Sequence, residues 1–385
     1  MRKLRVGMVG GGGPANFFGA PHRTAILMDN TAELTAGALR SDAAGSMKSA
    51  EDLHFTRGYP DYVTMIREEA ALPGDVRMDY VTIVTPNDSH YPIARAALEA
   101  GFPVLCEKPL TLTLAESLDL VHISRERDLP FGVAYSYTGL PMVMLARELV
   151  LSGAAGEVRK VEAWYPQGWL ADRAEDSGSQ QASWRVDPAK AGASGCGGDI
   201  GTHAYEFVRF VTGRTATEVQ ARLKTFVEHR ALDDDFTVLA RLDNGGIATV
   251  TASQVTIGAQ NDNGFRVIGT KATVEWTMLD HMSLRFFGPD GTVKVYRLGA
   301  GYSAFPASMQ AYLRLPAGHP EGFHEALANL HKSLQLKIRR RNGEDVQAAY
   351  PHPDVVDGAA GIAFLKAAVK SSAADGAWTP VTPTT

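Results

Sequence analysis

Cysteine is nearly absent from this 385-residue chain: only Cys106 and Cys196 occur, too few for a disulfide framework, and free thiols in a reducing cytoplasm are the plain expectation. Charge of one sign is lacking as well. The formal net charge is −5, and Lys and Arg are spread along the chain except for "KIRRR" at Lys337 to Arg341. That excludes the basic footprint of a nucleic-acid-binding protein. No apolar run approaches the ~20 residues that a membrane span needs. The opening "MRKLRVGMVGGGG" breaks into glycine and is followed by no small-residue cleavage pattern, which argues against a signal peptide. There is no internal repeat and no low-complexity segment, and only the last residues, "TPVTPTT", read as frayed.

What is present is ordinary globular material, 45% hydrophobic and 21% charged residues, in a chain long enough for two domains by the prior of ~100–200 residues each. Two halves differ in pattern. Over residues 1–150, apolar runs at Leu4 to Val9, Ala32 to Leu39, Tyr80 to Thr85, Phe102 to Cys106 and Phe131 to Ala134 alternate with helix-like stretches such as Ser89 to Ala100 and Leu114 to Arg127. Continuous apolar strands separated by helices predict an α/β domain with a doubly wound parallel sheet, a Rossmann arrangement. Over residues 151–385 a β-branched and aromatic run, Val158 to Gln167, is followed by a polar loop and a helix from about Gly198 to Val211. Seven strand-like segments then run from Thr217 to Arg297, with Asp-Asn-Gly-Gly and Pro-Asp-Gly turns among them. This predicts an α+β domain with a large, mostly antiparallel open sheet. Late helices from about Pro320 to Arg340 and Asp354 to Ser371 close the chain and are free to pack back on the first domain.

The first strand runs into "VGGGGPANFFGAPHR", the position of a dinucleotide-binding turn. There Gly10, Gly12 and Gly13 let the backbone approach a pyrophosphate at a helix N-terminus. The next suitable glycine, Gly19, comes seven residues after Gly12 rather than three, so the loop is longer than the usual fingerprint. At the end of the second strand, where an acid would hold the ribose of NAD, stands "LRSD": Arg40 and Ser41 suit a 2′-phosphate, and Asp42 suits the ribose if the turn is tight.

Three further segments carry chemistry. "TPNDSH", Thr85 to His90, ends the third apolar run, where Thr85, Asn87 and His90 could line a cofactor groove; a simple turn with His90 capping a helix is the alternative. "CEKP" ends the fourth run. Oxidising an alcohol by hydride transfer also removes the hydroxyl proton, and Lys108 can accept it if burial and a neighbouring positive charge lower its proton affinity. Glu107 is read as a neighbour of the cofactor. In "DIGTHAYEF", Asp199 and His203 are four apart and so share a helical face, where a carboxylate can orient an imidazole toward a substrate hydroxyl. A helix cap and a core histidine are the plainer reading. Cys196, Asp199 and His203 lack a fourth ligand for zinc, so no metal is expected.

The glycine turn, "TPNDSH", "CEKP" and "DIGTH" stand in the order and spacing of the Gfo/Idh/MocA family, the glucose-fructose oxidoreductase and inositol dehydrogenase group, and the chain resembles that family over nearly its whole length. The resemblance implies a nicotinamide-dependent dehydrogenase with Lys108 and His203 as proton-transfer residues and Asp199 binding or orienting a sugar. It implies a homo-oligomer assembled through the second domain's sheet, and favours NAD(H), with NADP(H) open and a tightly held cofactor a further option. "YPQGWL" and "SWRVDP" look similar to the branch acting on pyranosides and cyclic polyols, which would put Tyr165, Gln167 and Trp169 near substrate and Trp184 and Arg185 near the nicotinamide. The expected reaction is oxidation of a secondary ring hydroxyl of a sugar or glycoside, including oxidation at C3 to a 3-keto product. Inositol oxidation and biliverdin or imine reduction are alternatives from the same apparatus, and a non-catalytic dinucleotide or sugar sensor is one from another class.

Overall fold

A computed structural model describes residues 1–13 and 17–384, so Pro14, Ala15 and Asn16 of the glycine-rich loop, and Thr385, lie outside the described residues. The chain divides into two compact units, the first made of Met1–Thr111, Ala115–Gly139 and Phe323–Gly358, the second of Leu112–Leu114, Leu140–Gly322 and Ala359–Thr385.

In the first unit the apolar runs form a six-stranded parallel sheet: β1 (Leu4–Gly10), β2 (Ala32–Ala38), β3 (Arg57–Gly58), β4 (Tyr80–Val84), β5 (Val104–Cys106) and β6 (Phe131–Val133), in the order β3-β2-β1-β4-β5-β6. This is the doubly wound order, whose switch point between β1 and β4 is where such sheets bind ligands. β4 is buried along its whole length, and β1 along all but its last residue, Gly10, which is why these strands read as unbroken apolar runs rather than as alternating ones. Pairing of Gly10 with Val84 and of Ile83 with Cys106 sets the glycine loop, Thr85 and Glu107 side by side along one carboxyl edge.

The late helix Phe323–Arg341 belongs to this unit. Its Leu327 and Ala328 pack on Ala25 of the helix Gly19–Met28, and Leu334 and Ile338 enter the core with Leu4, Val6, Ile26 and Leu105. The outer strand β6 is covered by residues 352–354: the Val133 N–H donates to the Pro353 carbonyl, and Gly132 bridges to Asp354.

The second unit is built on a nine-stranded sheet: β7 (Val158–Pro166), β8 (Ala216–Lys224), β9 (Asp235–Leu242), β10 (Ile247–Ser253), β11 (Gly264–Gly269), β12 (Thr273–Thr277), β13 (Ser283–Phe287), β14 (Val293–Arg297) and β15 (Thr379–Pro380), in the order β14-β13-β12-β11-β7-β10-β9-β8-β15. The expected antiparallel pattern holds except at its middle, where β7 and β10 run parallel. A parallel neighbour needs a crossover rather than a hairpin; here the long excursion from Gln167 to Thr215, with the helix Thr202–Thr212, brings the chain back for the β8-β9-β10 meander. Alternating burial along β7 and β9 marks one covered face, under which Phe207 of that helix meets Phe265 and Trp276 with ring centroids 5.4 and 5.6 Å away. Among the described residues no helix is long and apolar enough to cross a membrane.

Candidate active site

The glycines at the carboxyl edge of the first unit are there for close approach. Gly10 and Gly11 have φ of 81° and 80°, and a Cβ on Gly10 would stand 2.3 Å from the Val84 carbonyl oxygen. A Cβ on Gly19 would meet the Gly11 carbonyl oxygen at 2.0 Å, so the first helix starts directly against the loop. Gly12 donates to the Leu39 carbonyl and is equally closed to a side chain, whereas a Cβ on Gly13 would meet none of the described residues within 4 Å. The helix Gly19–Met28 begins without a side-chain cap, and a helix N-terminus at this place carries the positive end of the helix dipole toward an anion. A dinucleotide phosphate fits this cradle.

At the end of β2 the Arg40 guanidinium lies 3.1 Å from Asp42, and Asp42 caps the next helix by accepting from the Gly45 N–H at 2.6 Å. Arg40, Ser41 and Asp42 are all exposed. Asp42 is thus a helix cap paired with Arg40.

After β4, Asn87 is buried, and Thr85 Oγ1 accepts from the Ser89 hydroxyl at 2.8 Å. His90 has no exposed surface; its ring nitrogens lie 2.8 Å from the Pro109 carbonyl oxygen and 3.0 Å from that of Thr85. This differs from the groove-lining role expected: His90 is a strut that ties the turn after β4 to the turn after β5. Burial drives its pKa down, against the opposing pull of the two carbonyls.

Glu107 and Lys108 follow β5 directly. The Glu107 N–H donates to the Ile83 carbonyl, and its carboxylate accepts from His22 Nε2 at 2.9 Å and from the Lys108 N–H at 3.1 Å. Burial works to raise its pKa, but the His22 hydrogen bond, the Lys108 charge and the Lys108 N–H outweigh it, and the carboxyl titrates below its ordinary range. Lys108 is only half-buried, and the Lys108–Pro109 peptide is cis.

The second unit gathers its own group. Tyr165, buried at the end of β7, donates its hydroxyl to Asn261 Oδ1 at 2.9 Å; Gln167 Nε2 donates to the same oxygen at 2.6 Å, and the Trp169 indole N–H donates to Gln167 Oε1 at 3.0 Å. The buried His203 ring is 5.9 Å from the Tyr165 ring. Asp199 does not lie on an α-helical face with His203 as the four-residue spacing suggested. It sits in a π-helical turn, Gly197–Gly201, that precedes the α-helix Thr202–Thr212, a widening that occurs often at functional sites. Its Oδ2 accepts from Arg185 Nε and from Gln254 Nε2, both at 3.0 Å. The Arg185 guanidinium also donates to Gln181 and lies 4.2 Å from the centre of the Trp184 ring and 5.7 Å from that of Trp169. Arg185 therefore clamps Asp199, a role its sequence position did not suggest.

Three residues of this group escaped sequence reasoning. Gln254 and Asn261 lie beyond β10, Asn261 within the polar stretch "QNDNG", and neither carries a periodic or motif signal that marks it as a site residue. Asp233, buried, accepts from the Ser194 hydroxyl and from the Gly195 and Gly197 N–H groups, and so anchors the glycine-rich turn that leads to Asp199. Its signal was legible: three acids in "LDDDF" abut a strand, where charge is costly unless it is partnered. Burial, only partly offset by those donors, pushes the Asp233 pKa up, and burial pushes that of the Cys196 thiol up as well. Among the described residues no group of three or more His, Cys, Asp or Glu is placed to hold a metal ion.

A doubly wound sheet with a glycine cradle at its switch point, joined to a unit with a mixed sheet and an aromatic, hydrogen-bonded site, defines a dinucleotide-dependent oxidoreductase. Residues 4–135 match the oxidoreductase family NAD-binding Rossmann fold, and residues 143–275 match the GFO/IDH/MocA C-terminal domain. The chain belongs to the Gfo/Idh/MocA oxidoreductase family and carries its NAD-binding domain. It is 34% identical to an uncharacterized oxidoreductase of Bacillus subtilis (strain 168) over 98% of this chain and 96% of that one. It is 29% identical to the levoglucosan dehydrogenase of Pseudarthrobacter phenanthrenivorans over 71% of this chain and 73% of that one. Its fold matches an inositol dehydrogenase homolog from Azotobacter vinelandii, solved with NADH and myo-inositol, with a TM-score of 0.88 and 31% identity over 98% of both chains.

Proposed function

We propose that the protein is an NAD-dependent dehydrogenase that oxidises a secondary ring hydroxyl of a sugar, glycoside or cyclic polyol, with glycoside oxidation at C3 as its specific reaction. The observation that carries this reading is Lys108, half-buried at the carboxyl edge beside the glycine cradle and next to the Glu107 carboxylate. Bound NAD would supply the hydride acceptor. Lys108 takes the hydroxyl proton, and His203 serves as the second proton-transfer group. Asp199, held by Arg185 and Gln254, orients the sugar. Tyr165, Gln167 and Trp169 offer the mixture of aromatic faces and amide groups that suits a ring with apolar C–H faces and polar hydroxyls. NAD is favoured over NADP because Arg40, which would receive a 2′-phosphate, is paired with Asp42.

The levoglucosan and inositol dehydrogenases among the relatives support a cyclic substrate. Two free, buried thiols suit a cytoplasmic enzyme. Exposed Ile247, Val293 and Val295 on the second unit's sheet suit a homo-oligomer. The test is an absorbance screen of NAD and NADP reduction at alkaline pH with glucosides, anhydrosugars and inositols, followed by assignment of the ketone position by NMR. Reduction with one ring class and a 3-keto product supports the reading. Cofactor binding with no reduction across the panel would favour a sensor.

A further inference from the structure

Behind Glu107 a line of buried side chains crosses the first unit. Glu107 meets His22 Nε2; His22 Nδ1 lies 3.0 Å from His331 Nε2; His331 Nδ1 lies 3.1 Å from the Tyr80 hydroxyl. Gln335 Nε2 reaches that hydroxyl at 3.2 Å, and Gln335 Oε1 accepts from Thr31 Oγ1 at 2.7 Å. His22, His331 and Tyr80 have no exposed surface, and Gln335 and Glu107 are buried. Interior hydrogen-bonded chains are costly unless every member is satisfied, yet this one draws on the first helix, β4, the turn after β5 and a helix that arrives about 300 residues after the first.

The direction of each bond follows from the carboxylate end. An ionised Glu107 only accepts, so His22 carries a proton on Nε2, and a neutral His22 then presents a bare Nδ1. His331 must then donate from Nε2 and accept on Nδ1, the Tyr80 hydroxyl must donate to it, and Gln335 must donate to the tyrosine oxygen. Every link is satisfied by this one arrangement, with both imidazoles neutral and Glu107 charged. Burial, with the neighbouring His22 and His352, holds His331 well below its ordinary pKa, and burial holds Tyr80 above its own. An outward proton path from Glu107 would need every bond reversed, so the chain suits holding a charge rather than moving one.

We propose that His22, His331 and Tyr80 are positioning residues which keep Glu107 an oriented carboxylate beside Lys108. The functional consequence rests on the reading of Lys108 as proton acceptor; the electrostatic claim stands without it. The other ionisable groups facing Glu107 are Lys108 and Cys106 on its own segment and His90 from the helix His90–Glu99.

The sign of the effect follows. Glu107 has a depressed pKa, so its ionised form adds stability above the ordinary carboxyl pKa, and that stability is lost as pH falls through the depressed value. Without the His22 donor only the Lys108 charge and N–H still oppose burial, and we expect the carboxyl pKa to rise above its ordinary value. The ionised group then costs stability at neutral and alkaline pH.

The experiment is a set of thermal melts of the full chain, free of substrate, at about pH 8 and about pH 5. Glu107→Gln alone should lower Tm by about 3–8 °C at the higher pH, from loss of charge-assisted hydrogen bonds. In a His22→Leu background the same substitution should change sign and raise Tm at the higher pH, with little effect at the lower. In a Tyr80→Phe background its cost should shrink, although Tyr80 and Glu107 are joined only through the two histidines. Absence of the reversal would overturn the ionised, His22-held Glu107, and strict additivity with Tyr80→Phe would overturn the extended chain. Should His22→Leu not fold, Tyr80→Phe, which removes one oxygen, decides alone. A pH profile of kcat/KM supplies the functional arm. Its acid limb should move to higher pH in Tyr80→Phe, and an unmoved limb alongside coupled melts would overturn the catalytic consequence only.

Discussion

Arg185→Met tests how the second unit holds its carboxylate. The substitution keeps an apolar chain of similar length over Trp184 and removes the donors to Asp199 (3.0 Å) and to the Gln181 carbonyl and side chain (3.0 and 2.7 Å). The side chains of Arg185 and Asp199 are 10% and 12% exposed, so solvent does little to replace the lost ion pair. Breaking a buried pair by removing one partner costs ~3–5 kcal/mol. Gln254 still donates to Asp199, which places the expected loss near the lower end, about 3 kcal/mol. For a unit of this size that corresponds to a fall of roughly 6–12 °C in Tm. Asp199→Asn should cost less, because Gln181 and the Trp184 face still hold the guanidinium.

The assay is a double-mutant cycle of Arg185→Met and Asp199→Asn read by thermal and denaturant unfolding. A coupling of about 1.5 kcal/mol or more is expected, and a coupling below ~0.5 kcal/mol, the level at which independent sites add, would refute the clamp.

Other outcomes follow from single contacts. Gly10→Ala places a Cβ 2.3 Å from a backbone oxygen at a φ of 81°, so it should lower Tm and weaken NAD binding at least tenfold by calorimetry; unchanged affinity would refute the cradle. Asp42→Ala removes a helix cap and should cost about 1 kcal/mol in denaturant melts while improving NADP binding relative to NAD, since it releases Arg40. His203→Ala should lower kcat by ~100-fold or more, and a loss confined to Tm would mark it as a core residue.

Much of the first unit is legible in the sequence because its strands are buried on both faces: "YVTIV" and "VLC" read as strands with no help from distant residues. The position of Lys108 was equally legible, since a charge pair directly after such a strand has to emerge at the sheet's ligand edge. The parallel pairing of β7 with β10 was not, because both strands show the same alternation whichever way a neighbour runs. Nor was the π-turn at Gly197–Gly201, where a four-residue spacing mimics an α-helical face. Gln254, Asn261 and the His22–His331 pair left no trace, because hydrogen bonds between residues far apart in the chain impose no period on it. His90 shows the limit of motif reading: its place in the turn after β4 was legible, but its contact with the Pro109 carbonyl and its complete burial depend on how the surrounding turns pack.

The most direct measurement of the central claim is turnover and NAD affinity of Lys108→Ala beside the unsubstituted protein, with the ring alcohol identified by the screen. A proton acceptor at this edge predicts that NADH formation is abolished while the NAD dissociation constant changes by less than about threefold, since the glycine cradle is untouched. Turnover at an unchanged rate would contradict the assignment of Lys108 and the dehydrogenase mechanism built on it.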